Sequence, residues 1–242
     1  MRKTLWSCLR TAGSGLAATV LPPLCPACVS MPCAAGRDLC ESCRLRLPEL
    51  ATPRCGGCGG VLDNALTLCR ECLSAEVRSW SLAVSVFPFA GTARELVHRF
   101  KYQGQTYLAA LLAGRMHQAW VRHGEGTPDV VMPVPLHWFK ALCRGYNQAE
   151  LLADGLSAVA GVPVVRWLRR PRWTRQQARL DAAERRRNMR AAFRLTPTAA
   201  VRDKYVLLID DVFTTGATLG AAAAVLRDAG AARIGVLTVA RG

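Results

Sequence analysis

The stretch Val206-Leu207-Leu208-Ile209-Asp210-Asp211-Val212-Phe213-Thr214-Thr215-Gly216-Ala217-Thr218 decides how this chain folds. Residues 206–209 form an uninterrupted apolar run of the kind that fills a parallel strand buried on both faces. Two carboxylates, Asp210 and Asp211, stand at its carboxyl end. A loop of small and hydroxyl-bearing residues follows, and an alanine-rich run over 219–229 reads as a helix with Gly230 as its C-cap. Strand, loop and helix in that order belong to a parallel α/β sheet. Ligands of such sheets bind beyond the carboxyl ends of the strands.

The loop and the acids ask for different chemistry. A loop of small residues running into a helix N-terminus offers backbone N–H groups and a positive dipole end to a phosphate. Thr214, Thr215 and Thr218 add hydroxyl donors, and Gly216 and Ala217 leave room for close approach. The carboxylates suit hydroxyl donors or a metal-bound diol. A ribose 5-phosphate satisfies both halves. A helix merely capped by acids would not need the glycine and three threonines beside them, and a Walker loop is excluded by the missing Gly-Lys-Ser/Thr. The stretch resembles the phosphoribosyl-pyrophosphate (PRPP) motif of type I phosphoribosyltransferases. That resemblance implies Asp210 and Asp211 on the ribose hydroxyls, residues 214–218 around the 5′-phosphate, and Mg²⁺ bridging pyrophosphate and ribose.

Outward from the motif, strands and helices alternate. Residues 81–89, 130–136, 162–168, 204–211 and 234–240 read as strands. Residues 91–102, 108–121, 147–160 and 182–193 read as helices. The expectation is an α/β fold with a mostly parallel sheet over residues 76–242. Pro133 and Pro135 should end the second strand early. The loop behind it carries Lys140 and Arg144, and Arg144 is the candidate to grip a pyrophosphate bidentately. A surface loop capped by Asn147 is the plainer reading of that segment.

Residues 25–75 are different in kind. Eight cysteines form four Cys-x-x-Cys pairs: Cys25/Cys28, Cys40/Cys43, Cys55/Cys58 and Cys69/Cys72. Two such knuckles complete a tetrahedral Cys₄ zinc site. Local pairing gives two zinc ribbons and is favoured, since each half repeats the same unit. A cross-braced pairing of first with third and second with fourth is the alternative. Disulfides are disfavoured, because this pattern without a convincing export signal points to metal in a reducing, cytoplasmic setting. The zinc reads as structural. Cys33 lies within the first ribbon, and Cys8 and Cys143 read as buried small apolar residues.

The chain has 242 residues and a net charge of +15, with no apolar run long enough to span a membrane. Residues 1–24 read as an amphipathic lead-in rather than a signal peptide. Residues 25–72 are neutral, so most of the positive charge belongs to the larger domain, where an anionic partner would bind. Ten arginines crowd residues 166–190, with Trp167 and Trp173 among them. Three readings compete for this segment: a loop closing over PRPP, a single-stranded nucleic-acid surface, and a solvated basic helix. The nucleic-acid candidates are Arg169, Arg170, Arg172, Trp173, Arg175, Arg185, Arg186 and Arg187.

Taken together, several features resemble the ComF/GntX family. They are the four cysteine pairs, His98-x-x-Lys101-Tyr102, Pro133-Val134-Pro135-Leu136, Arg144-Gly145-Tyr146-Asn147-Gln148, and the acidic motif. The resemblance implies a double zinc ribbon joined to a phosphoribosyltransferase domain, with members associated with bacterial DNA uptake and natural transformation. The chain departs from the family where Arg175-Gln176-Gln177-Ala178-Arg179 replaces a proline-bearing segment, and where His137-Trp138-Phe139 replaces basic residues. Two functional expectations stand side by side. One is a PRPP-binding, phosphoribosyltransferase-type protein, with Asp210, Asp211 and Arg144 as its catalytic set if it is an active glycosyltransferase. The other is a non-catalytic protein that binds single-stranded DNA, or that docks a helicase or other competence protein through its zinc ribbons.

Overall fold

The computed structural model describes residues 24–34, 37–63, 67–74, 78–136, 142–170 and 192–242. The lead-in expected over 1–24 lies almost wholly outside them, as do Cys8 and the greater part of the helix expected over 182–193. The chain divides into two compact units, Met1–Pro48 and Glu49–Gly242.

In the smaller unit, helix α1 (Glu41–Leu45) carries Cys43 inward. Its interior includes Cys25, Ala27, Cys33, Leu39, Cys40, Cys43 and Leu47, which are at most 6% exposed. Two leucines, an alanine and a set of thiols bury too little apolar surface to offset chain entropy unaided. A metal at the thiols supplies what the core lacks.

In the larger unit, helix α2 (Arg70–Ser74) carries Cys72. The sheet is built from β1 (Leu82–Pro88), β2 (Val130–Pro133), β5 (Tyr205–Phe213) and β6 (Arg233–Arg241). Their order is β1-β6-β5-β2, and every pairing is parallel. Residues 163–165 extend the β2 edge: Val131 N donates to Pro163 O and Val165 N to Val131 O. The strand expected over 162–168 is thus a single bridge at Val164, followed by β3 (Leu168–Arg169) in an antiparallel pair with β4 (Arg194–Leu195). Pro163, with no amide to donate, denies it a longer ladder.

Among the described residues, four helices accompany the sheet: α3 (Gly91–Tyr102), α4 (Leu108–His123), α5 (Gln148–Ala160) and α6 (Ala217–Asp228). Side chains alternate across β5. Val206 and Leu208 join Val130, Met132, Ile234, α6 and the second cysteine set in one core. Leu207 and Ile209 face the other way, toward the side covered by α4 and α5. Residues 206–209 are each at most 1% exposed. Burial of each such side chain is worth roughly 1.5–3 kcal/mol of transfer free energy. Asn147 caps α5, its Oδ1 accepting from Ala149 N at 3.1 Å. Gly161 ends that helix in the left-handed region at φ 71. Cys143, expected to be buried, is exposed.

Two features of the fold position the site. β5 runs past its acids to Phe213 because β6 stays paired with it as far as Phe213↔Arg241. β2 stops opposite Ile209. On that side the ladder ends one residue before the carboxylates.

Candidate phosphate and metal sites

Asp210 and Asp211 occupy the overhang of β5. Asp210 is half-buried, and its Oδ1 accepts the Asp211 amide at 2.8 Å. Burial and then the Asp211 charge push its pKa up to about 7, against the opposing pull of the Asp211 amide, Lys101 and Arg170. Asp211 is ion-paired: Lys101 Nζ lies 2.9 Å from its Oδ1. One of the two carboxylates implied for the ribose hydroxyls is therefore held by a lysine.

The loop beyond Phe213 turns through Gly216 at φ 76, where a side chain would be strained. A Cβ there would also meet Phe213 Cζ and Arg78 Nη1 at 2.7 Å. Thr214, Thr215 and Ala217 are exposed, and Thr218 is half-buried. Thr215 Oγ1 accepts from Ala217 N at 3.3 Å, and α6 opens with no side-chain cap on Gly216. The loop thus presents its hydroxyls and the positive end of a 12-residue helix to solvent.

Arg144 lies in the segment just before α5. It donates to Gln148 Oε1 and to Tyr102 Oη, each at 3.1 Å, and its guanidinium lies 4.9 Å from the Tyr102 ring centroid. Gln148 is 1% exposed, and its Nε2 has no hydrogen-bond partner among the described residues. Asn147 Nδ2 donates to Val134 O, tying this loop to the end of β2. The last two residues of α3 therefore join the halves of the site: Lys101 reaches Asp211, and Tyr102 receives Arg144. The sequence motif contains both residues but gives them no role. Their partners are distant in the chain, and only the fold brings them together. Lys140 lies outside the described residues.

Arg170, read as a nucleic-acid contact, is half-buried over the Phe193 ring and within electrostatic range of Asp210. Burial lowers its pKa, and Asp210 opposes that shift. Arg169 is exposed on β3. Arg172, Trp173, Arg175, Arg185, Arg186 and Arg187 lie outside the described residues. A cleft lined by His117, Trp120, Val131, Leu156 and Leu207 opens toward the amino ends of β2 and β5, away from the carboxylates.

The eight paired cysteines form two clusters, Cys25/Cys28/Cys40/Cys43 and Cys55/Cys58/Cys69/Cys72, each with its sulfurs within 4.8 Å of one another. This is the local pairing, not the cross-brace, and none of the eight is in a disulfide. The Cys28–Cys40 and Cys58–Cys69 sulfurs are 3.8 Å apart. A tetrahedral zinc with bonds of about 2.3 Å requires edges of about 3.8 Å, so the donor set fits the ion. The thiols of the first cluster differ in how readily they ionise. Cys28 is lowered to about 5, chiefly by the Ser30 hydroxyl and neighbouring amides. Burial and hydrogen bonds from neighbouring thiols push Cys43 up to about 12. A dication at the centre would favour the thiolate form of all four. Cys33 is buried beside the first cluster but is not one of its four ligands. No helix among the described residues is long and apolar enough to cross a membrane.

Comparison with known proteins gives two family matches. The phosphoribosyl transferase domain matches residues 106–242, and the double zinc ribbon domain matches residues 16–73. Competence protein F of Haemophilus influenzae is 35% identical over 217 residues, covering 86% of this chain and 92% of that protein. DNA utilization protein YhgH of Escherichia coli K12 is 31% identical over 236 residues, covering 91% and 98%. Among solved structures, a glutamine phosphoribosylpyrophosphate amidotransferase from B. subtilis superposes with a TM-score of 0.42 at 20% identity, over 58% of this chain and 30% of that one.

Proposed function

The chain belongs to the ComF family of competence proteins, a double zinc ribbon followed by a phosphoribosyl transferase domain, and from that membership we propose that it binds PRPP with Mg²⁺ at the tip of β5 and serves DNA uptake. The observation that carries the reading is a convergence at one strand end. A pair of carboxylates, a glycine-turned loop at a helix N-terminus and Lys101 meet there, and Arg144 is held on Tyr102, the residue after Lys101.

In this reading residues 214–218 hold the 5′-phosphate through backbone amides and the threonine hydroxyls. Asp210 and Asp211 accept the ribose hydroxyls. Asp210 and Asp211 would hold Mg²⁺, which would supply positive charge against the pyrophosphate. Docking of the diol on Asp211 releases Lys101, whose ammonium then faces the pyrophosphate alongside Arg144. If the site is active, an acceptor forms a bond to C1 of the ribose while the C1–oxygen bond breaks, and the electron pair leaves with pyrophosphate. Positioning and electrostatic stabilisation of the departing charge are what this constellation can contribute.

The positive charge of the larger unit favours a second, compatible role in holding single-stranded DNA. Calorimetric titration with PRPP and Mg²⁺, repeated with single-stranded DNA present, tests both. We expect the Asp210→Ala/Asp211→Ala variant to lose PRPP binding; unchanged affinity would place the ligand elsewhere.

A further inference from the structure

The second cysteine cluster belongs to the larger unit and reaches the phosphate loop through two arginines. Arg78 Nη2 lies 3.7 Å from Cys72 Sγ, and its Nη1 lies 3.4 Å from the carbonyl oxygen of Thr215. Its guanidinium packs 5.1 Å from the Trp80 ring centroid and 5.9 Å from that of Phe213. Arg241 Nη2 lies 3.7 Å from Cys58 Sγ, and its guanidinium is 5.4 Å from the same Phe213 ring. Phe213 is the residue directly before the loop, and its carbonyl accepts the Gly242 amide at 2.9 Å. Trp80 closes the arrangement, donating to Gly57 O at 2.9 Å and meeting Phe213 edge-on at 6.0 Å.

The electrostatics explain why both arginines stay. Four thiolates around a dication leave a net negative cluster, and two guanidiniums balance it. N–H donors on metal-bound sulfur orient and tune the ligand. Without the ion the four sulfurs no longer hold one fixed, negative face toward the arginines. The arginines then lose their anchor at one end while the other end still rests on Phe213 and Thr215. Gly216 fits its left-handed turn against the Arg78 guanidinium, so a move of that group bears directly on the loop's shape.

We propose that the Cys55/Cys58/Cys69/Cys72 site braces the phosphate loop, with Arg78 and Arg241 as positioning residues that couple metal occupancy to phosphate-ligand affinity. The proposal rests on residues 214–218 binding a phosphate, as argued above. Coupling of this kind is reciprocal: a ligand that the braced loop binds better must tighten the metal by the same factor.

The test uses the full chain loaded with two equivalents of zinc. A zinc-selective chelator and a thiol-alkylating reagent are added with and without PRPP and Mg²⁺. Mass spectrometry then follows the peptides of the two clusters separately. We expect PRPP to slow alkylation of Cys55, Cys58, Cys69 and Cys72 by roughly fivefold or more, the low end of ordinary coupling. Cys25, Cys28, Cys40 and Cys43 should be unaffected. In Arg78→Gln the protection should fall below about twofold with both zinc ions still bound, and Arg78→Lys, lacking the fork, should restore little of it. PRPP binding with no change at the second cluster overturns the coupling and leaves the PRPP site standing. No PRPP binding to the zinc-loaded parent overturns the site and the coupling together. Protection that persists undiminished in zinc-loaded Arg78→Gln assigns the effect to general stabilisation by the ligand and overturns the arginine brace.

Discussion

Asp210 is a carboxylate that folding makes reluctant to ionise. Its folded pKa, about 7, lies above the ordinary value of 3.8, because burial and then the Asp211 charge disfavour the anion. The stability it contributes is therefore complete below the ordinary carboxylate range and is lost as pH rises through about 7. The loss accumulates at on the order of 1 kcal/mol per pH unit across that window. Asp210→Asn should match the parent near pH 4 and be the more stable protein at pH 8, as read from urea midpoints; parallel profiles would contradict the burial argument. Lys101 makes a second prediction. Lys101→Ala should weaken PRPP binding about tenfold, the scale of a hydrogen bond to a charged group, and should not weaken ribose 5-phosphate binding, since only PRPP carries the pyrophosphate. Equal losses for both ligands would assign the lysine to the sugar instead. Asp210, Asp211 and the threonines are legible in sequence because they are contiguous. Lys101 and Arg78 are not, because a cation's partner across a fold leaves no local pattern.

At the level of elements, two left-handed residues have opposite meanings. Gly216 at φ 76 is glycine where the turn demands it, with Arg78 and Phe213 against the missing Cβ. Gly216→Ala adds about 1–2 kcal/mol of backbone strain before any clash is counted, and PRPP affinity should fall at least tenfold in calorimetry. Val29 adopts φ 57 in the first knuckle, an expensive place for a β-branched residue. It is half exposed, so its removal loses little packing. Val29→Asn should stabilise the smaller unit by up to about 1 kcal/mol, measured as slower zinc loss from Cys25, Cys28, Cys40 and Cys43 to a chelator. Most of the described helices and strands follow from periodicity, and α3 (Gly91–Tyr102) coincides with its expected span. The extent of β5 does not, since strand ends are set by the neighbour's register rather than by the strand's own residues. Pro133 and Pro135 explain the shorter neighbour, since neither has an amide to give the ladder.

For the molecule as a whole, charge and division are the informative quantities. The net charge of +15 resides chiefly in the part that carries the proposed ligand site. If that surface also holds single-stranded DNA, binding must weaken steeply with salt. About three phosphate contacts give a log–log slope of about −2; fluorescence anisotropy between low and physiological salt would measure it, and a flat response would exclude phosphate contacts as the basis. The repeated cysteine unit suggests two like ribbons, and the two clusters do share one geometry. Their surroundings differ for a reason no repeat reveals: Gly56 O accepts Ala83 N, and Gly57 O accepts the Trp80 indole. These hydrogen bonds fasten the Cys55/Cys58 knuckle to β1 and to the segment that leads into it. That attachment has a practical corollary for anyone who would dissect the chain. A fragment excised from residue 76 onward strips β1 of its covering and should aggregate, whereas one begun at Glu49 keeps its lining and should survive purification with a single bound zinc.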